Sequence, residues 1–208
     1  MKRTLICLFI FLVFGISSAQ TNFSISVSDE NSGFAFSISN FYKVPEREVI
    51  VVKERGIPDE ELPVVFFIAE KARVKPATII DLRLRGLSWM DISLKYGITA
   101  DVYYVPVNVV EVGPPFGKAY GHFKKYPKHR WKEIHLDDDD IVNLVNVRFI
   151  SHYHGVEPDI IIKEKSHGKR FIVLDKEFKE KKHKKHKKDK EEKKEKKHKH
   201  KHKKEVDD

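Results

Sequence analysis

The sequence contains a single cysteine, Cys7, which lies inside an apolar run near the N-terminus. From residue 20 onward the chain has no thiol, so disulfide bonds, thiolate metal ligands and a cysteine nucleophile are excluded for that part. Residues 20–178 must therefore be stabilised by burial of apolar side chains. They are numerous enough to form one modest core.

Long apolar runs are also scarce. The longest, at about residues 5–16, is shorter than the roughly 20 residues that a membrane-spanning helix needs. Lys2 and Arg3 precede this run and small residues ending at Ala19 follow it, which is the layout of a secretory signal peptide. We expect cleavage between Ala19 and Gln20, and a mature protein without a transmembrane helix that is secreted or periplasmic, or resides in the cell envelope. An uncleaved anchor is the alternative, which the short run fits less well.

Motifs that mark common active sites are missing as well. The sequence has no G-x-S-x-G, no H-E-x-x-H and no phosphate-binding loop. His152 and His154 lie in a predicted turn, where histidines at a core edge are more common than metal ligands. We therefore predict no catalytic residues and a non-enzymatic protein, with an unrecognised hydrolase as an alternative that only the histidines support.

Positive charge is concentrated at the C-terminal end of the chain. The formal net charge is +9, and residues 179–208 contain 16 Lys and 8 Asp or Glu, so they contribute +8 of it. Lys2 and Arg3 contribute two more charges, which leaves residues 4–178 at −1. From Lys179 onward the only apolar residue is Val206. Because it cannot bury apolar surface, this tail is expected to be disordered or a solvated helix.

Near the N-terminus, residues 23–41 alternate apolar and small polar residues on both sides of the segment DENSG. Period-two alternation around a glycine-containing turn is typical of a β-hairpin, which we predict within residues 20–42. A flexible N-terminal arm is the alternative. The apolar side chains of the predicted hairpin are Phe23, Ile25, Val27, Phe34, Phe36 and Ile38.

Residues 43–178 contain a unit that occurs three times. The copies are VPEREVIVVKERG (44–56), VKPATIIDLRLRG (74–86) and VEPDIIIKEKSHG (156–168). Each has a proline soon after the valine, an apolar pair five and six residues after it, and a glycine at the end. Proline suits the first turn of a helix and glycine suits its end, so each copy predicts a short helix.

Further helices are predicted between and before these units. Two copies follow longer helical segments, at residues 59–73 and 137–155, which begin with acidic residues that suit the positive end of a helix dipole. The four aspartates at 137–140 are explained by helix capping, because they lack the spaced oxygen ligands of a calcium loop. Ser88 is the predicted N-cap of another helix, which ends at Gly97.

The spacing of residues in two copies resembles that of helix-turn-helix domains, in which a small residue, a turn hydrophobe and a core residue follow one another at fixed intervals. The matching residues are Ala69, Val74 and Ile79, and again Ser151, Val156 and Ile161. The resemblance concerns spacing over about a third of the chain and selects no particular family.

Such a resemblance would imply sequence-specific DNA binding, but the charge does not fit. A DNA reader needs a positively charged face to neutralise phosphates, whereas residues 4–178 are close to neutral. We predict no sequence-specific DNA partner and interpret the unit as a packing motif. Arg83 and Arg85 are then solvated or paired. Their expected partners are Asp81 and Glu70.

The Pro- and Gly-rich residues 105–131 predict an ordered loop, or a short strand followed by a loop. Aromatic and basic side chains are mixed in its second half, which suits the binding of glycans, peptides or anionic chains. The alternative is that the aromatic side chains cover the helical core. The predicted ligand-binding surface consists of Phe116, Lys118, Tyr120, Phe123, Lys124, Lys125, Tyr126, Arg130 and Trp131.

The tail also contains clustered histidines that form a weak candidate metal site. They are His183, His186, His198, His200 and His202. Neutral imidazoles bind Zn²⁺, Ni²⁺ or Cu²⁺, but the surrounding lysines outnumber them and repel a cation. We expect no resident cofactor, with adventitious binding of Zn, Ni or Cu. Extracytoplasmic divalent-metal binding is the alternative function.

These patterns predict a mainly helical α+β protein: an N-terminal β-hairpin, repeated short helix-turn-helix units and a disordered Lys/His-rich tail. The predicted divisions are 1–19, 20–42, 43–178 and 179–208. The leading functional prediction is an exported, non-enzymatic binding or envelope-associated protein. Its tail, and with it the loop surface, would attach it to an anionic envelope polymer or to lipid headgroups.

Overall fold

α-Helices form most of the computed structural model, which describes residues 29–108 and 113–204. Side chains are described for residues 32–108, 113–185, 187, 188, 190 and 191. No strand occurs within the two described ranges. The helices are α1 (Asp29–Tyr42), α2 (Glu46–Glu54), α3 (Leu62–Ala72), α4 (Pro76–Leu84), α5 (Trp89–Lys95), α6 (Gly117–Lys125), α7 (Asp138–His154), α8 (Pro158–Ser166) and α9 (Phe171–Lys204), with 3₁₀ helices at Asp59–Glu61, Ala100–Tyr103 and Lys128–Glu133.

The three copies of the repeated unit form three helices of equal length. Helices α2, α4 and α8 each begin two residues after the valine and end two residues before the glycine. Gly56, Gly86 and Gly168 have φ angles of 92°, 89° and 86°, a left-handed conformation that favours glycine. The repeat therefore predicts both ends of each helix.

The turn before each of these helices has one geometry. The N–H groups of Val44, Val74 and Val156 donate to the carbonyl oxygens five residues earlier, at 3.1, 3.0 and 3.1 Å. The residue before each valine has a positive φ. This is the hydrogen bond that ends a helix in a Schellman motif, so each copy is the second half of a helical hairpin.

The predicted β-hairpin is wrong in its described half, because residues 34–41 belong to α1. Phe34, Ala35 and Ile38 are buried on one face of this helix, whereas Phe36 is 51% exposed. Residues four apart share a face in both a strand and a helix, so Phe34 and Ile38 fit either period. The predicted first strand, residues 23–27, lies outside the described residues, as does the predicted signal peptide. The helical body thus includes α1, whereas the sequence predicts that it begins at residue 43.

Helix α1 gives the first unit a preceding helix that the sequence prediction missed. The sequence does contain a signal for this helix. Ile38 and Ser39 lie six and five residues before Val44, and Ile68 and Ala69 lie six and five residues before Val74. A related turn follows α5. There the N–H of Ile98 donates to the carbonyl of Ser93 at 2.9 Å, and Gly97 between them has a φ of 71°.

Helices α3 and α7 form the centre of the core. Every side chain from Leu62 to Ala69 is buried, and Ile150 of α7 is fully buried. Helices α1, α4, α5, α8 and the first two turns of α9 pack around this pair. Residues 171–174 are a short apolar run, a pattern that fits a buried strand or a buried helix, and they form the start of α9.

Charged side chains lie at the N-terminal ends of α3 and α7. Asp137 and Asp140 form a reciprocal capping box at the start of α7, which confirms helix capping as the role of this acidic run. Arg83 is paired with Glu61 and Asp138, neither of which is a predicted partner. The Arg83 side chain of α4 therefore forms its ion pairs within the protein.

No helix in the described ranges combines the length and the apolar character that crossing a membrane requires.

Replacing Arg73 with glycine is expected to raise the free energy of unfolding by about 0.5–1 kcal/mol. Arg73 has a φ of 57°, its side chain is exposed, and a left-handed conformation costs a non-glycine residue about 1–2 kcal/mol. The matched control is Arg85→Gly, since Arg85 ends α4 with a φ of −79°. That variant should be destabilised, because glycine there only adds freedom to the unfolded chain. Urea unfolding that moves both variants in the same direction would contradict this reading of the turn.

Candidate functional site

The predicted loop surface folds into α6 and the 3₁₀ helix Lys128–Glu133, and three of its aromatic side chains are buried. Phe116, Tyr120 and Phe123 are 1%, 8% and 4% exposed. The Tyr120 hydroxyl donates to the carbonyl of Val105 at 2.8 Å. These rings cover the helical core, which was the alternative interpretation. The strand considered for this segment is absent from its described residues, 105–108 and 113–131.

Two further aromatic side chains of this surface, Tyr126 and Trp131, are half-buried at its rim. The Trp131 indole N–H lies 3.0 Å from the carbonyl oxygen of Phe123 and 2.8 Å from that of Tyr126, which fixes the ring. Lys125 lies over the Tyr126 ring and Lys128 lies over the Trp131 ring, at 5.7 and 5.9 Å from the centroids. At the rim, a lysine ammonium therefore lies over each of the two aromatic rings.

The basic residues of this surface fall into two groups. Lys118 binds Asp137, and Arg130 binds Glu133 at 2.7 Å. These hydrogen bonds raise the pKa of Lys118 and of Arg130, and the bond from Arg130 lowers the pKa of Glu133. The other group, Lys124, Lys125 and Lys128, has no carboxylate partner among the described residues, and we call it the basic patch.

A cavity of about 630 Å³ lies between α1, the end of α7 and α9. Its lining includes Gly33, Phe36, Tyr153, His154, Lys182 and His183. We call it the tail-root cleft, because α9 continues from it into the basic tail. Its lining combines an exposed phenylalanine with basic side chains and one acid, Glu46.

A buried polar network lies beneath this cleft. The Asp175 side chain is 1% exposed, and its two oxygens lie 2.9 Å from the Ser37 hydroxyl and 2.8 Å from Nε2 of His154. The ammonium of Lys179 lies 2.9 Å from the same carboxylate and also donates to the carbonyl of Gly33. The network joins α1, α7 and α9.

This network does not have the arrangement of an activated serine. A nucleophilic serine gives its proton to a base, usually an imidazole, whereas the hydroxyl of Ser37 donates to Asp175. Ser37 is also fully buried. Ser37 therefore has a structural role. It is one of three donors to the Asp175 carboxylate.

The ion pair between Asp175 and Lys179 was not predicted from the sequence. Asp175 lies on the helix face that also carries Phe171, Leu174 and Phe178, all of them buried. A carboxylate within such an apolar face, with a lysine four residues later, is a sequence signal for a buried ion pair. The other two donors, Ser37 of α1 and His154 of α7, could not be predicted from this local pattern.

The described part of the tail continues α9 as a solvated helix, one of the two forms expected for it. Side chains from Glu180 to Glu191 are exposed wherever they are described. Of the predicted metal ligands, His183 lies at the cleft, and the side chains of the other four lie outside the described residues. The described side chains contain no group of three potential metal ligands.

The described chain is thus a helical protein built from helical hairpins with helix-turn-helix-like turns, whose last helix leads into a basic tail. Comparison of the chain with protein families, with curated proteins and with solved structures gives no match. The likeness to helix-turn-helix domains remains one of spacing.

Proposed function

We propose that this is an exported, non-enzymatic protein that attaches to anionic material through the basic tail of α9, with the basic patch as a second contact. The proposal rests on the difference in burial between the first two turns of α9 and the rest of that helix. Its first two turns are anchored in the core by Phe171, Leu174 and Phe178, and from Glu180 onward its described side chains are exposed. The body therefore holds the tail at a fixed point and leaves its charge in solvent.

The physical basis of attachment is the net charge of the tail. A chain with 16 lysines and 8 acids gains affinity for a polyanion by releasing counterions and by forming many weak contacts. Neither effect requires a shaped pocket. The tail can therefore bind phosphate-rich or carboxylate-rich material of many sequences.

The tail-root cleft favours lipid headgroups among the anionic materials. Phe36 is 51% exposed, and Lys182 and His183 line the same cavity. An acyl chain can contact the phenylalanine while an anionic headgroup contacts the basic side chains. A polysaccharide would leave this apolar surface unused.

The test is co-sedimentation of the full chain with vesicles of phosphatidylglycerol mixed with phosphatidylcholine, compared with vesicles of phosphatidylcholine alone. We expect binding to the anionic vesicles only, because each basic residue near an anionic surface contributes about 1 kcal/mol. Equal binding to both kinds of vesicle would contradict attachment by charge. Absence of binding to either would reject lipid headgroups as the partner.

The triple variant Lys124→Gln, Lys125→Gln and Lys128→Gln is expected to bind anionic vesicles roughly tenfold more weakly than the unmodified chain. This tenfold loss assumes that each lysine contributes about half of the roughly 1 kcal/mol that a basic residue near an anionic surface can contribute. The matched control replaces three other exposed lysines without a carboxylate partner in the described chain, Lys75, Lys95 and Lys163. If the control loses as much affinity as the test variant, the basic patch is not a distinct contact.

A further inference from the structure

A second cavity, of about 390 Å³, lies where the C-terminal ends of α1, α3 and α7 meet the segment that follows the 3₁₀ helix Ala100–Tyr103. Phe41 and Phe67 supply aromatic walls. The volume lies within the range of pockets that bind small organic molecules.

Arg148 is one of the polar residues that line this pocket. It donates one hydrogen bond, from Nη2 to the carbonyl of Tyr104 at 2.8 Å, and it lies 5.2 Å from the centroid of the Phe67 ring. Burial lowers the pKa of Arg148. In the described ranges no carboxylate lies within ion-pair distance of it, although largely buried arginines are ordinarily paired. The guanidinium has five N–H donors, so donors remain for a ligand.

Other groups around Arg148 also suit an anion. Tyr42 lines the pocket, and its hydroxyl has no hydrogen-bond partner in the described part of the chain. Burial, with a smaller contribution from Glu70, raises the pKa of Tyr42, so the hydroxyl remains a donor at neutral pH. Lys71 lies 5.6 Å from the Phe67 centroid, on the same wall. Glu70 is the acid that lines this cavity, so cationic and neutral donors outnumber acceptors.

We propose that this pocket binds a small organic carboxylate with an apolar body. The carboxylate would receive paired hydrogen bonds from Arg148, with the hydroxyl of Tyr42 as a further donor. The apolar body would lie against Phe41 and Pro106. This site is separate from the tail, and its ligand is a small molecule rather than a surface.

The experiment is calorimetric titration of the full chain with 3-phenylpropionate, with 3-phenylpropanol as the uncharged probe. We expect saturable binding of the carboxylate and at least tenfold weaker binding of the alcohol. Arg148→Met should weaken carboxylate binding at least tenfold, and Tyr42→Phe should weaken it a few-fold. Arg85→Met is the matched control, since Arg85 is exposed and should leave binding unchanged.

Glu70→Gln separates ligand binding from an internal role of Arg148. If the guanidinium serves a ligand, removing the nearby negative charge should leave 3-phenylpropionate binding unchanged or strengthen it. If Arg148 instead pairs with Glu70 in solution, Glu70→Gln should lower the melting temperature as much as Arg148→Met does, which would overturn the proposal. Absence of saturable binding up to about 10 mM, or binding that Arg148→Met and Tyr42→Phe do not weaken, would also overturn it.

Discussion

Replacing Asp175 with alanine is expected to lower the free energy of unfolding by about 3–5 kcal/mol, the usual result of removing one partner from a buried charged network. The carboxylate accepts from Ser37, His154 and Lys179 at 2.8–2.9 Å. Without it Ser37 and His154 lose their acceptor inside the body, and Lys179 keeps only the carbonyl of Gly33. Helices α1, α7 and α9 lose the group that joins them, so urea unfolding should show the loss directly.

Glu177→Ala is the matched control for this prediction. Glu177 lies two residues away on α9 and pairs with Lys169 at 2.9 Å, but both side chains are about one-third exposed. Exposed pairs of this kind contribute about 0–1 kcal/mol. Asp175→Asn should fall between the two variants, because the amide oxygen still accepts one bond. Equal losses for Asp175→Ala and Glu177→Ala would show that the network is not a stabilising connection.

Replacing the lysines between Lys184 and Lys204 with glutamine is expected to weaken binding to anionic vesicles at least 100-fold. These residues supply most of the tail's positive charge, and lysines near an anionic surface contribute about 1 kcal/mol each. Lys179 and Lys182 are retained on purpose. Truncation after Phe178 would remove Lys179 from Asp175 and would therefore confuse attachment with stability.

Two further measurements on this lysine-to-glutamine tail variant serve as controls. Its free energy of unfolding should match that of the unmodified chain, because side chains of the tail are exposed where they are described. All the tail histidines are kept, so Zn²⁺ or Ni²⁺ binding by them should persist. Unchanged vesicle binding by this variant would assign attachment to the body rather than to the tail.

The repeated helices could be predicted from the sequence because their signals are local. Pro76 and Pro158 each mark a helix start, and Gly86 and Gly168 mark the positions after helix ends where φ becomes positive. The apolar pair between them identifies the buried face. Such signals depend on neighbours in the chain and do not need tertiary contacts.

Helix α1 could not be assigned in this way because its sequence satisfies two periods. Phe34 and Ile38 fit a strand as well as a helix, and the serines around them have no strong preference for helix. Tertiary contacts decide the outcome. The ring of Phe34 packs edge-on against Phe149 of α7 at 5.7 Å, and Ser37 reaches Asp175 on α9.

The candidate sites also differ in whether local sequence or tertiary contacts determine them. The charge of the tail is a property of composition and could be read directly, as could the lysines of the basic patch. The burial of Phe116, Tyr120 and Phe123 could not, because an aromatic residue in a Pro/Gly-rich segment suits a surface or a core equally well. The tail-root cleft and the Arg148 pocket are each formed by helices that are distant in the chain.

The most direct test of tail-mediated attachment is the salt dependence of binding to phosphatidylglycerol-containing vesicles, measured for the full chain and for the lysine-to-glutamine tail variant. For the full chain we predict a steep fall in affinity as the salt concentration rises from about 50 to 500 mM, because screening shortens the reach of exposed charges. The variant should bind weakly and show little dependence on salt. Affinity that survives 500 mM salt, or the same salt dependence for both proteins, would contradict attachment through the charge of the tail.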